Sequence, residues 1–144
     1  MSVALFTGSC KKENLTHMTD FEMKIYKKVN EYRGAKSLPD ITLQVLMIDD
    51  AQNYSGKMAD GTVPYGVDDI MNSLNVLKSN LGGDASGAVV QYSEYENADT
   101  VVNRMVKDQV KREVLEQDFN QTAVGAVKGN DGKWYVTQIF IHIP

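Results

Sequence analysis

Few side chains in this sequence could carry chemistry, and their types and spacing limit what it could be. There is one cysteine, Cys10, and there are two histidines, His17 and His142. A lone cysteine excludes an internal disulfide and any multi-cysteine metal site. Ser55, beside Tyr54, and Ser86, in a glycine-rich loop, carry hydroxyls. Serine becomes a useful nucleophile only when an adjacent base takes its proton and a third group orients that base. His17 falls in the N-terminal tail and His142 at the far end of the last strand. The expectation is therefore that no serine–histidine pair forms and that the chain has no catalytic residues. Asp49–Asp50 and Asp68–Asp69 are neighbours in helical stretches, where adjacent side chains diverge, so neither pair makes an acid–base couple. Glu94, Glu96 and Asp99 cluster at a helix entrance, where capping and solubility explain them. The stretch GGDASG lacks the lysine and the strand-to-helix setting of a phosphate-binding loop. Tyr54, Tyr65, Tyr92 and Tyr135 could line a cleft, although buried tyrosines ordinarily pack with the hydroxyl hydrogen-bonded.

The chain has 144 residues, 42% of them hydrophobic and 24% charged, which suits one domain with a real core. Its formal net charge of -4 provides no basic field for nucleic acid. No apolar run approaches the roughly 20 residues needed to span a bilayer.

The elements that must position these groups follow from periodicity. Phe21, Ile25, Val29 and Tyr32 mark one face of a first helix, with Thr19 and Glu22 as a capping box and Gly34 just past its end. A second helix carries Leu43, Met47, Ala51, Tyr54 and Met58 inward and stops at Gly61. Ile70, Leu74 and Leu77 mark a shorter third helix. Residues 88–95 read as a strand. A fourth helix over 97–115 is capped by Asn97 or Asp99 and turns Val102, Met105, Val106 and Val110 inward. Whether it breaks near KDQVKREVL stays open. Two final strands form a hairpin whose turn runs from Gly129 to Gly132. On the last strand Trp134, Val136, Gln138 and Phe140 share one face, and Tyr135, Thr137, Ile139 and Ile141 share the other. Both faces are largely apolar, so both must be covered. The fold expected is α+β: a three-layer α-β-α sandwich around a small, largely antiparallel sheet.

Two resemblances add to this. Cys10 has Gly8 and Ser9 before it, an apolar run before those, and a polar stretch after it. This resembles the end of a bacterial lipoprotein signal peptide, in which the cysteine becomes the lipidated first residue of the mature chain. The apolar run is shorter than the roughly 7–15 residues of an ordinary signal core, and no Lys or Arg precedes it. The implied organisation is a signal remnant and flexible tether over 1–20, with Cys10 as lipidation site, followed by one domain over 21–144. That domain, in the order of its pieces and in Asp118, Phe119, Val124, Gly125, Tyr135, Thr137, Gln138 and Phe140, resembles the CAP superfamily. This is the cysteine-rich secretory, antigen 5 and pathogenesis-related group, here most like bacterial SCP-like domains. The resemblance covers about residues 21 to 143.

CAP domains commonly carry a pocket of two histidines and one or two acidic residues able to hold a divalent metal. On this sequence the first histidine position falls on Tyr54 and the second on Val110. A further one falls near Val67, and the only acid near the glutamate position is Asp84. Valine offers no lone pair and a neutral phenol is a poor ligand, so the expectation is a pocket without metal ligands, and no cofactor. The function expected is a non-catalytic CAP/SCP-like domain of the bacterial cell envelope, extracytoplasmic and lipid-anchored through Cys10, or else secreted. It would work as a monomeric binding or interaction module through the cleft between the second and fourth helices or through surface loops. Its partner would be an envelope component or an apolar small molecule, not nucleic acid, with the membrane met only through the anchor. The alternatives are an envelope hydrolase using other residues, and a cytosolic α+β domain outside the family.

Overall fold

The computed structural model describes residues 17–62, 86–94 and 97–144, together with Asn75 and Ser79. Helix α1 spans Asp20–Ala35 and opens with the expected capping box. Thr19 Oγ1 accepts from Glu22 N at 3.2 Å while Glu22 Oε1 accepts from Thr19 N at 2.8 Å. Its end differs from the sequence reading. The helix runs through Gly34, and the left-handed residue that turns the chain is Ser37, at φ 60°. Leu38 N then reaches back to Arg33 O, a closure that does not need glycine at position 34.

A two-residue strand, β1 (Thr42–Leu43), pairs parallel with a later strand and removes Leu43 from the helical stripe expected for it. A 3-10 turn (Val45–Met47) leads into α2 (Ile48–Ala59), and Gly61, at φ 80°, ends that helix as expected. Strand β2 is Ser86–Glu94. The expected third helix lies outside the described residues apart from Asn75 and Ser79, both helical. The expected fourth helix is two helices, α3 (Ala98–Lys107) and α4 (Gln109–Leu115). Asp108, extended at φ -84° and ψ 117°, ends one and caps the other. Asn97 caps α3, accepting from Thr100 N at 3.0 Å. Strands β3 (Gln121–Lys128) and β4 (Trp134–His142) form the expected hairpin.

The sheet order is β1-β3-β4-β2, with β4 antiparallel to both neighbours. Strand β4 alternates between two cores. Val136 and Phe140 join Ile25, Val29, Val102 and Met105 under α1 and α3, while Ile139 and Ile141 join Met47, Ile48, Ala51 and Tyr54 under α2. The three-layer α-β-α architecture and the assignment of β4's faces therefore hold.

Helix α2 approaches the sheet backbone to backbone because Gly125 lets it. A Cβ at Gly125 would stand 2.2 Å from the Ala51 carbonyl carbon and the Gln52 nitrogen, both backbone atoms. The seam is closed by Ser55, whose buried Oγ donates to Gly125 O at 2.9 Å and lies 2.8 Å from the Thr137 hydroxyl. Gly125→Ala must push the whole helix outward, and we expect it to cost about 3 kcal/mol or more in urea unfolding. Gly34→Ala, at a helical position with nothing within 4 Å, is expected to stabilise by up to about 1 kcal/mol.

Candidate functional site

The positions matched to the CAP pocket meet different fates. Tyr54 is 7% exposed and packs in the core under α2. Val110 is 72% exposed, on a helix whose Leu115 joins the core on the other face of the sheet. The expectation that Val110 turns inward is wrong, because the break at Asp108 resets the helical phase before it. Val67, Asp84 and Cys10 lie outside the described residues. Among the described residues no three His, Cys, Asp or Glu side chains converge on a point. A phenol in a core and a valine in solvent do not fit the donor chemistry of a divalent metal.

The serines also resolve. Ser55 is fully buried, with its hydroxyl tied to Gly125 and Thr137. His142, read as remote from Ser86, is its cross-strand partner: β2 and β4 pair Ser86 with His142. His142 Nδ1 lies 2.6 Å from Asp118 O. If the ring donates there, Nε2 keeps its lone pair. Among the described residues no hydrogen bond joins Ser86 to that ring, so the neighbours lack the contact that would activate the hydroxyl. Asp49 is exposed and Asp50 half-buried in the first turn of α2. Burial, then the charge of Asp49, raises the pKa of Asp50.

The described surface has a concave site elsewhere, between α1 and α3. It is a groove of about 440 Å³ lined by Lys28, Tyr32, Val102, Asn103, Val106 and Lys107. Val102 and Val106 come to it because α3 presents one apolar face to α1, with Val101, Val102 and Met105 buried. Lys28 at the rim is compensated by Glu31 at 3.7 Å and Asp99 at 3.9 Å. The Tyr32 hydroxyl donates to the Glu116 carboxylate. Burial together with that carboxylate pushes the phenol up to about 12.

Two charged groups whose burial the spacing did not flag hold α1 in place. Glu22 is 1% exposed. Its Oε1 accepts from Gln52 Nε2 at 2.8 Å as well as from Thr19 N, and its Oε2 accepts from Ala126 N at 2.7 Å. Arg33, also 1% exposed, donates to Leu115 O at 2.9 Å, Gln117 O at 2.8 Å and Pro39 O at 3.0 Å. Burial lowers its pKa, and the charges of Asp118 and Asp40 oppose that. Both follow the stripe of Ile25 and Val29 one turn further in each direction. The stripe is the signal that could have found them, had charge not argued for solvent.

No family model matches the sequence, and no curated protein is significantly similar to it. Solved structures are similar in fold. An outer surface protein from Borrelia burgdorferi superposes with a TM-score of 0.70 at 16% identity, over 88% of this chain and 96% of that one. A cysteine-rich secretory protein from Staphylococcus aureus gives 0.66 at 17% identity. An extracellular SCP-domain protein from Bacillus anthracis gives 0.61 at 19%. These two superpositions take in 85% and 84% of this chain, but only 39% and 40% of their own lengths. The fold is thus CAP-like. No helix among the described residues is long and apolar enough to cross a membrane.

Two outcomes follow from this geometry. Glu22→Ala strips acceptors from buried amides and is expected to cost about 3 kcal/mol in chemical unfolding. Glu22→Gln, which turns one acceptor oxygen into a donor, should recover less than half of that loss. Tyr32, whose folded-state value stands above its unfolded 10, contributes stability that is whole below about pH 10 and fades toward pH 12. Ultraviolet titration should show Tyr32→Phe losing a late-ionising phenol, and the variant should unfold less steeply with pH in that window.

Proposed function

We propose that this chain is a non-catalytic binding module of the cell envelope, tethered outside the cytoplasm by a lipid on Cys10. The observation that carries the reading is the state of the candidate chemistry. Where the CAP resemblance puts pocket histidines stand a tyrosine packed in a core and a valine turned to solvent. The central serine, meanwhile, has its proton committed to a backbone carbonyl. The similarity in fold to an outer surface protein over 96% of that chain supports the address.

The groove between α1 and α3 is the surface we assign to binding. Tyr32, Val102 and Val106 give it an apolar lining, and Lys28, Glu31 and Lys107 stand at its sides. A guest with an apolar body and a small polar head matches that pattern. The pocket residues Tyr54, Val67, Asp84 and Val110 then supply no metal site.

The tether is tested by metabolic labelling with a fatty acid. Label is expected on the native chain and absent from Cys10→Ala, and equal labelling of both would refute it. Calorimetric titration with zinc is expected to give no heat of binding. A micromolar or tighter site would overturn the donor-poor pocket. A fluorescent fatty acid should bind the native chain, and Val106→Arg, which fills the groove with a charge, should weaken it by about tenfold or more.

A further inference from the structure

Three large apolar side chains are exposed among the described residues, and two of them are neighbours. Val45 and Leu46 are 56% and 67% exposed. They project from the 3-10 turn ahead of α2, while the next residue, Met47, is buried and fixes the turn to the core. The third, Val110, stands apart on α4.

The N-terminal segment joins the domain partway along the helix that this turn leads into. His17 O accepts from Gln52 Nε2 at 2.7 Å. Gln52 lies one turn into α2, about 9 Å along the axis from Leu46 at 1.5 Å per residue. From Cys10 to His17 is seven residue steps, 17 minus 10. Even fully extended these span at most about 25 Å.

We propose that the Val45–Leu46 turn rests in the headgroup layer of the bilayer that holds the Cys10 lipid, so that the domain docks in one orientation. This rests on the tether reading and extends membrane contact beyond the lipid. The opposite pole is the β3–β4 turn, where Gly129 and Asn130 share a hollow with Gly56, Ala59 and Asp60 at the far end of α2. That pole faces away from the membrane surface. Two apolar side chains are far below the roughly 800 Å² per partner of a stable protein interface. They suffice for a bilayer already within tether reach, because the second contact is intramolecular. The exposed Asp49 on the following turn opposes an anionic surface, so a zwitterionic one is the appropriate probe.

The full chain can be coupled through its single cysteine to a maleimide lipid in phosphatidylcholine vesicles, which makes the test independent of whether cells lipidate Cys10. Leu46→Trp should then show emission, beyond the Trp134 background, reduced by about half when the acyl chains are brominated. Asn130→Trp should be unaffected. In the unsubstituted coupled protein, amide exchange at residues 45–48 should slow about fivefold against the uncoupled chain. Unquenched Leu46→Trp, equal quenching at both sites, or unchanged exchange would overturn the proposal. So would protection of the same amides by self-association without vesicles. Failure of fatty-acid labelling in cells, by contrast, would refute the tether alone.

Discussion

A carboxylate removed from water must find donors for both oxygens, and Glu22 finds them on three different elements. One oxygen takes the amide of Thr19, which caps its own helix, and the side chain of Gln52 on α2, and the other takes the amide of Ala126 on β3. The last contact exists because β1 pairs with β3 only at Gln121 and Thr122. Beyond that point β3 is an edge, and its amide would otherwise be buried without a partner. Glu22 therefore stands in for a missing strand. Gly125, the preceding residue, admits α2 close enough for Gln52 to reach the same carboxylate. Each of these contacts requires the others, which fixes the relative positions of α1, α2 and β3 to within a hydrogen-bond length.

The opposite end of α1 is fixed by a cation. Arg33 lies among the carbonyls that end α4 and begin the approach to β3. The C-terminal end of a helix carries partial negative charge, so this is a favourable place for a buried guanidinium. Asn30 and Tyr26 add to the same closure. The Asn30 side chain both accepts from Ile41 N at 2.8 Å and donates to Ile41 O at 3.0 Å, and Tyr26 donates to that carbonyl at 2.9 Å. Helix α1 is thus held by polar groups at both ends and by Ile25 and Val29 between them.

The layers were legible from the sequence because hydrophobic period dictates them. The alternation of β4 specified two cores, and both exist. What misled was charge and phase. The buried stripe of α1 is Glu22, Ile25, Val29 and Arg33, but its ends are ionisable, so the spacing selected the half-buried Phe21 and Tyr32 instead. Val110 continued the phase of α3 on paper, and one extended residue, Asp108, cancelled that continuity. Ser86 and His142 are 56 positions apart in sequence (142 minus 86), and only strand register makes them neighbours. Register depends on which strands pair, information that no local pattern holds.

These facts also show that the fold does not depend on a histidine at either position matched to the CAP pocket. The frame depends on Glu22, Arg33, Gly125 and the two faces of β4, and none of the positions matched to CAP histidines belongs to that set. Tyr54 serves the core as apolar area, a role a large aromatic fills more readily than an imidazole needing two polar partners. Val110 sits on a seven-residue helix whose buried residue is Leu115, so the energetics of α4 are nearly indifferent to its identity. A residue as exposed as Val110 can be substituted at nearly no expense in stability. Structures at 16 to 19% identity then retain one architecture, which leaves their concave surfaces free to diverge. The groove of α1 and α3 follows the same logic. Its floor is the outer side of the first core, so the core guarantees that the groove exists, and the rim residues are left to determine what it holds.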